Sequence, residues 1–490
     1  MIALPLTLLL AAAPAAPKAP AAPTAAPARE APPPPAPPPA FKLPEKRDFT
    51  LDNGLQVTLV KVGRMPKATV ELSVRIGTGD EAPDQTGMAG FVAKLLLEGT
   101  RHRSAADLAA EAARWGGAVE TDVTPDETLV GGTVLSEFAP DLVTLVADVA
   151  LNPAFPAREL ERVRQDLIRD VSIARTLPQT LAQERFLKVT YPADAYGRLL
   201  ATPEQLTGYT PEALQAFHAT TFLAGRAHLY VAGQFDQAAV EQAIREAFGP
   251  WARGAAYSHG MTSPAHRGAV ELVDRPGAVQ SSLYVGLPSL TPRHPDYLKL
   301  VVTNTLLGGY FSSRMTANLR EQKGYTYSPR SVLSVRGAAP GYWAQLADVT
   351  TPVTGASLTE IFKEVERLRS PPPPAQAEVA AAQAYLAGQF LLLVSDRDGL
   401  IDRLRFVALH DLPDTWLEGY VERVRAVTPE EVQQAARTWL DPSRMAVVVV
   451  GDLAKVEAQV KAVKRPAAGK ASAGPGARDP KLLPRKEPRP

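Results

Sequence analysis

One pattern of residues occurs twice in the chain, and this repeat limits the folds that the sequence can adopt. TPEALQAFHATTFLAGRAHLYVAGQF (Thr210–Phe235) aligns without a gap on TPEEVQQAARTWLDPSRMAVVVVGDL (Thr428–Leu453), with eight identities in 26 positions at a constant offset of 218. Each copy begins with Thr-Pro, which is typical of a helix N-terminus, and continues into an apolar strand that ends at a glycine. We interpret the repeat as a tandem duplication of a unit of roughly 210 residues.

Composition predicts where the units begin and end. The apolar run after Met1 has the length of a signal peptide, although no Lys or Arg precedes it, and a low-complexity leader with no targeting role is the alternative. Ala/Pro-rich and basic Pro-rich stretches cannot form a core, so we expect a disordered spacer and a disordered tail. The predicted segments are a signal peptide at 1–20, a spacer at 21–43, an N-terminal domain at 44–258, a linker at 259–267, a C-terminal domain at 268–464 and a tail at 465–490. We therefore expect an exported, periplasmic protein.

The order of the elements predicts the fold class. In each unit, apolar strands come early and long helices follow without strict βαβ alternation, which favours an α+β fold of two tandem domains, each a mostly antiparallel sheet with helices packed on it. Helices are predicted at 158–173, 211–222 and 375–392. No segment after the leader has 18 consecutive apolar residues, so we expect no membrane span in the mature chain.

Charge and residue usage exclude several classes of function. Lys and Arg number 53 against 52 Asp and Glu, so a general nucleic-acid partner is not expected. The chain has no cysteine, which excludes disulfides, thiolate metal sites and a Cys nucleophile. No two of the seven histidines are three or four residues apart, so no helix presents a His pair to a metal, and a G-x-S-x-G motif is also absent.

Four segments carry a family resemblance. The first unit contains FTLDNGLQVTLV and VRIGTGDEAPDQTGMAGFVAKLLLEGT, and the second contains DRPGAVQSSLYVGL and LLGGYFSSRMTANLREQKGYTYS. Together they resemble the pitrilysin-like metallopeptidases, which include insulysin and the mitochondrial processing peptidase. The resemblance extends over roughly residues 44–460 and agrees with the duplication.

The resemblance implies a zinc site that this chain has lost. Active members of the family carry an inverted H-x-x-E-H motif, with two His ligands and a Glu general base on one helix and a further acidic ligand on another. The matching positions here are Gly90 and Lys94 for the His pair, Ala93 for the base and Asp170 for the distal ligand. We therefore expect no metal and no cofactor in this chain. We also expect that Lys94 pairs with Asp170, and that Lys94→Ala destabilises the fold.

A second family motif is retained. The resemblance implies that Arg320 and, seven residues on, Tyr327 contact the substrate backbone near the scissile bond. Such a pair can hold a peptide carbonyl and stabilise developing oxyanion charge. Tyr325 is the competing candidate for the tyrosine, and Gly308 and Gly309 match the family's glycine-rich turn, where a substrate strand can approach the backbone.

These residues predict a divided function. The leading hypothesis is a non-catalytic subunit of a heterodimeric zinc endopeptidase, which supplies Arg320 and Tyr327 in trans to a homologous, zinc-bearing partner that cuts a peptide substrate. The alternative is a peptide-binding or structural protein without a catalytic partner. An autonomous hydrolase is disfavoured because the sequence contains no recognisable nucleophile-base or metal constellation.

Overall fold

The computed structural model describes residues 41–465 except 256, 258–263, 266–267 and 338. The predicted signal peptide, the spacer up to residue 40, the linker except residues 264 and 265, and the tail after residue 465 lie outside the described residues. The strands are β1 Lys46–Thr50, β2 Gln56–Lys61, β3 Lys67–Val74, β4 Val119–Val123, β5 Thr128–Leu135, β6 Ala227–Gly233, β7 Val270–Asp274, β8 Gln280–Pro288, β9 Arg330–Ser334, β10 Tyr342–Thr350 and β11 Ala446–Gly451.

The helices of the first half are α1 Met88–Leu96, α2 Ala105–Arg114, α3 Ala139–Leu151, α4 Ala157–Ala174, α5 Pro178–Thr190, α6 Pro203–Gly208, α7 Pro211–Thr221 and α8 Gln237–Phe248. Those of the second half are α9 Tyr297–Asn304, α10 Thr354–Arg369, α11 Gln376–Ser395, α12 Arg397–Leu409, α13 Thr415–Glu418, α14 Tyr420–Ala426, α15 Pro429–Trp439 and α16 Leu453–Ala462. The three helices predicted from the sequence correspond to α4, α7 and α11, with ends displaced by at most three residues.

The strands form two sheets whose neighbour relations repeat. The first has the order β1-β2-β6-β3-β5-β4 and the second the order β7-β11-β8-β10-β9. In both, one pair is parallel, β2 with β6 and β7 with β11, and all other pairs are antiparallel. The α+β fold class with two tandem units of mostly antiparallel sheet is therefore confirmed. Apart from the additional edge strand β1, the two sheets have one topology.

The sequence repeat is the structural repeat. Thr210 and Thr428 are the N-cap residues of α7 and α15, and their hydroxyls accept hydrogen bonds from the N–H groups of Ala213 and Glu431. A 3-10 turn follows each helix and leads into β6 or β11, the strand that joins the parallel and antiparallel parts of its sheet. In both copies of the repeat, the Thr-Pro start thus forms a helix N-terminus and the apolar end forms a central strand.

Each sheet is also packed by a helix from the other half of the chain. Helix α5 of the first half packs on β8 and β11, where Phe186 lies 4.6 Å from the ring centroid of Tyr284. Helix α12 of the second half packs on β3 and β6 of the first sheet. There the Arg405 guanidinium bonds the Glu71 carboxylate at 2.9 Å and lies 3.5 Å from that of Glu127. The two halves are therefore held together by a reciprocal exchange of helices.

Helix α11 is long and apolar enough to cross a membrane by length and composition alone, and no other helix in the described part of the chain is. Core helices of soluble proteins pass the same test, so the finding is weak evidence for a membrane span. Within the fold, the Gln383 side chain donates hydrogen bonds to the carbonyls of Val424, Arg425 and Val427, and Glu378 pairs with Arg314. These contacts attach α11 to the second half.

Candidate functional site

Helix α1, where the family keeps its zinc ligands, is anchored by a buried carboxylate. Gly87 precedes the helix with φ of +86°, a conformation that favours glycine, and a Cβ there would lie 2.8 Å from the Cβ of Ala201. The two carboxylate oxygens of Glu81 accept hydrogen bonds from the N–H groups of Gly87 and Ala89, each at 2.8 Å. Burial raises the pKa of Glu81 to about 7, against the opposing effect of these N–H donors. A glycine N-cap and a buried carboxylate thus fix the start of α1.

The predicted ion pair between Lys94 and Asp170 is confirmed. Lys94 Nζ lies 2.9 Å from the carboxylate of Asp170, so the family's second His position on α1 and its distal acidic position on α4 face one another. Gly90 is open to space, with no atom within 4 Å of where a Cβ would stand. Ala93 is buried, and its carbonyl accepts a hydrogen bond from Thr121 on β4.

This set of residues does not fit a zinc ion. Glycine and alanine offer no side-chain lone pair, and an ammonium group repels a divalent cation from the one carboxylate that remains. Among the described residues, no three His, Cys, Asp or Glu side chains are grouped so that they could hold a metal. No chemistry of this chain can therefore be routed through a metal on α1.

Both side chains of the ion pair are about half exposed, and this exposure lowers the loss of fold stability that we expect from Lys94→Ala. The Lys94 and Asp170 side chains are 46% and 53% exposed. Ion pairs between exposed groups contribute typically ~0–1 kcal/mol. The pair therefore lies at the family's ligand positions and is expected to contribute little to the stability of the fold. Only a small loss of stability is expected from Lys94→Ala.

Arg320 lies in a π-helical segment, Thr316–Gln322, whose C-cap residue is Lys323. The wide turn closes with hydrogen bonds from Lys323 N–H to the Asn318 carbonyl at 3.0 Å and from Gly324 N–H to the Arg320 carbonyl at 3.0 Å. Gly324 has φ of +63°, which lets the chain leave the helix. Isolated π-turns are uncommon and frequent at functional sites.

The two tyrosines that follow this turn, Tyr325 and Tyr327, differ in their exposure. Tyr325 is half-buried and packs against the apolar core of the second half. Tyr327 is 77% exposed, and its ring centroid lies 4.4 Å from the guanidinium carbon of Arg320. Arg320 therefore contacts Tyr327, the tyrosine at the family spacing, and a role of either tyrosine toward a substrate stays a prediction.

Phe311 also contacts Arg320, and sequence reasoning missed it. Its ring centroid lies 4.8 Å from the guanidinium carbon, and its side chain is 65% exposed. Such cation–π contacts hold a guanidinium in place and leave its in-plane N–H donors available. Among the described residues the recorded ion pair of Arg320 is with the adjacent Glu321, at 3.2 Å.

Gly308 and Gly309 end a second π-helical segment, Thr305–Gly309. Gly308 is buried, and a Cβ there would lie 2.7 Å from Ser331 Oγ and 2.8 Å from Gln345 Oε1. A Cβ on Gly309 would lie 3.0 Å from Nδ2 of Asn304. Packing against the strands β9 and β10 therefore accounts for the glycine at 308. A role of either glycine toward a substrate stays a prediction.

A chain of contacts connects the two candidate regions. Arg275, between β7 and β8, donates a hydrogen bond to the carbonyl of Thr176 just beyond α4, the helix of Asp170. Val279 in the same turn accepts from Thr351 N–H at 3.1 Å, and the preceding Thr350 donates to the carbonyl of Tyr325 at 3.4 Å. These hydrogen bonds connect the end of α4 to the backbone of the Arg-Tyr segment through the turn between β7 and β8.

Family comparisons agree with this geometry. Residues 57–204 match the model of the insulinase family, peptidase family M16, and residues 208–386 match that of the peptidase M16 inactive domain. The fold is shared with solved structures of the same kind. A peptidase M16 inactive domain from Pseudomonas fluorescens superposes with a TM-score of 0.77 at 21% identity, covering 83% of this chain and 98% of that one. A protease from Helicobacter pylori superposes with a TM-score of 0.79 at 17% identity, covering 84% and 100%. The chain belongs to the M16, pitrilysin-like, peptidase family.

Its relatives of known sequence include uncharacterised zinc proteases of actinobacteria. One from Mycobacterium tuberculosis is 28% identical over 421 residues, 84% of this chain and 94% of the relative. One from Mycobacterium leprae is 26% identical over 412 residues, 83% and 91%. This chain is therefore a family member over nearly the full length of these relatives, without the residues of the zinc motif on α1.

Proposed function

We propose that this protein is the non-catalytic subunit of a heterodimeric zinc endopeptidase and supplies Arg320 and Tyr327 to a peptide held at its partner's zinc. One observation carries the proposal. The Arg320–Tyr327 pair is intact, while the ligand positions on α1 hold Gly90, Ala93 and Lys94. A chain that had lost all function would have no reason to keep one half of an active site and the scaffold of the other.

The chemical contribution of this subunit is electrostatic. The Arg320 guanidinium carries a permanent charge, and its in-plane N–H groups match a peptide carbonyl. Contact with the rings of Phe311 and Tyr327 fixes its orientation before substrate arrives, so little reorganisation is needed when charge develops on the carbonyl oxygen. The Tyr327 hydroxyl is a second donor beside it. Zinc, supplied by the partner, would activate the attacking water, and this chain would bind and orient the peptide.

The partner is proposed to be a homologous subunit with an intact H-x-x-E-H helix, and the complex is proposed to work after export. Edman sequencing of the protein from its own cells would test export directly, because cleavage near residue 20 gives a new N-terminus and a retained Met1 does not.

The test of the proposed function is native purification followed by identification of every chain present at equal stoichiometry. A partner of similar length with H-x-x-E-H on the helix equivalent to α1, and with one zinc per complex, supports the proposal. A lone chain or homodimer that binds peptides without cutting them contradicts it and favours the alternative, a peptide-binding or structural homologue without a catalytic partner.

A further inference from the structure

Two of the exposed aromatic side chains in the described part of the chain contact the same guanidinium group. In the described part of the chain, the large aromatic residues with exposed side chains are Phe311, Tyr327 and Tyr385, at 65%, 77% and 39%. Phe311 and Tyr327 both contact the guanidinium of Arg320. The ring of Tyr385, on α11, lies 5.3 Å from that of Tyr310, the residue before Phe311. Exposed aromatic clusters of this kind mark binding surfaces.

One exposed aliphatic residue, Val279, lies on a turn that is hydrogen-bonded toward the Arg-Tyr segment. Val279 is 81% exposed, and its carbonyl accepts a hydrogen bond from the N–H of Thr351. The preceding residue, Thr350, donates to the carbonyl of Tyr325. The cationic Arg320 is 27% exposed at its side chain.

The size of the patch favours a single side chain over a protein surface. Two aromatic rings exposed to this degree offer on the order of 300 Å². A stable dimer buries about 800 Å² on each partner, so these rings are too small to hold a second copy by themselves. An extended peptide fits better, because the patch combines ring faces for one side chain with fixed N–H donors for the adjacent carbonyl.

We propose that Phe311, together with the ring of Tyr327, forms a subsite for an aromatic or long aliphatic side chain of the bound peptide. The peptide residue whose side chain enters this subsite lies next to the peptide carbonyl that Arg320 binds. A lysine or arginine side chain is disfavoured there, because it meets the Arg320 cation. This inference rests on the proposed function, to which it adds a preference among peptide substrates and a residue, Phe311, that the family motif does not contain.

The experiment measures binding by the full chain alone, so it needs neither a partner nor zinc. Fluorescence anisotropy compares short labelled Gly/Ser peptides that differ at one position, which holds Phe, Leu, Ala or Lys. The proteins are the wild type, Phe311→Ala and, as a matched control, Leu392→Ala, which removes a side chain of 68% exposure on α11. Circular dichroism and the melting temperature show whether each variant is folded, and Phe311→Leu replaces Phe311→Ala if the latter is not.

The wild type and the Leu392→Ala control are expected to bind the Phe peptide about fivefold more tightly than the Ala peptide, a preference that Phe311→Ala abolishes. With Phe311→Leu, the Phe peptide is expected to lose most of its advantage over the Leu peptide. Equal binding of all peptides by the wild type, or an unchanged preference in the Phe311 variants, overturns the subsite. Loss of the proposed partner leaves this result intact. Failure of the full chain alone to bind any of these peptides overturns the subsite and does not contradict the proposed function, in which the partner's zinc holds the peptide.

Discussion

Lys94 and Asp170 form an ion pair of 2.9 Å between the two helices that carry metal ligands in active members of the family. The backbone around the pair is well supported: Glu81 accepts hydrogen bonds from the N–H groups of Gly87 and Ala89, and Gly87 is the N-cap residue of α1. The residues at these positions, Gly90, Ala93 and Lys94 on α1 with Asp170 on α4, therefore do not form the family's set of zinc ligands.

The exposure of that pair gives the first prediction. Lys94→Met and Asp170→Asn are each expected to lower the free energy of unfolding by less than about 1 kcal/mol, because water screens both groups. Urea denaturation at neutral pH measures the change. A loss of several kcal/mol in either variant would show that the pair is a structural support of the fold.

The ion pairs between the halves are predicted to behave differently. Arg405 is 16% exposed and pairs with Glu71 at 2.9 Å, while Glu127, itself 7% exposed, lies 3.5 Å away. Arg405→Met leaves buried carboxylates without their cation and is expected to cost about 3 kcal/mol, as removal of one member of a buried pair does. The same urea experiment compares it with Lys94→Met. Equal, small losses in both would mean that the helix exchange does not depend on Arg405.

The pKa of Glu71 predicts a dependence of stability on pH. Burial raises this pKa from 4.5 to about 7, against the opposing charge of Arg405 and with smaller contributions from Asp402, Glu127 and Asp398. Because the folded state binds the proton more tightly, the stabilisation is complete below pH 4.5 and is lost as the pH rises through about 7.

Glu71→Gln is therefore expected to flatten the fall in unfolding free energy between pH 5 and 8, by at most about 1.4 kcal/mol per pH unit. Glu81 has a similarly raised pKa, so a residual slope remains in the variant. Unfolding titrations at several pH values give both slopes. Parallel curves for wild type and variant would contradict the assignment to Glu71.

The substitution of two glycines by alanine, one in the π-helical segment Thr305–Gly309 and one inside α11, tests how tightly each position is packed. Gly308→Ala is expected to destabilise the fold by roughly 1–3 kcal/mol, because its Cβ would overlap Ser331 and Gln345. Gly388, inside α11, has no atom within 4 Å of a Cβ position, so Gly388→Ala is expected to raise stability by about 0.5–1 kcal/mol. Thermal denaturation distinguishes the two. A neutral Gly308→Ala would mean that its glycine is retained for another reason, such as approach of a substrate.

The sequence predicted the fold where a local signal was repeated. Thr210 and Thr428, each followed by proline, are helix caps in both copies, and the apolar runs before Gly233 and Gly451 are central strands. The exchange of α5 and α12 was not predicted, because an amphipathic helix does not indicate which of two similar sheets it covers. The family spacing predicted Arg320 and Tyr327 as a candidate pair, and the structure shows that the two side chains are in contact and that Tyr327 is more exposed than Tyr325.

Phe311 could not be predicted in this way. It lies nine residues before Arg320, a spacing that belongs to neither a helix face nor a strand, and two π-helical segments flank it. Wide turns of this kind have no reliable sequence signal, so the contact between the Phe311 ring and the guanidinium emerges only in three dimensions. The useful hint was an aromatic residue between a Gly-Gly pair and a Ser-Ser pair, where a buried core position is not expected.

The central claim is that Arg320 acts on a substrate held at a partner's zinc, and one measurement tests it most directly. Peptide hydrolysis by the purified complex is compared for wild type, Arg320→Ala and Arg114→Ala, an exposed arginine on α2 that serves as the control, with assembly checked by size-exclusion chromatography. The account predicts that Arg320→Ala lowers kcat/KM about 100-fold, as loss of one oxyanion donor does, while assembly and the Arg114→Ala activity are unchanged. Full hydrolysis by a complex that contains Arg320→Ala would contradict it.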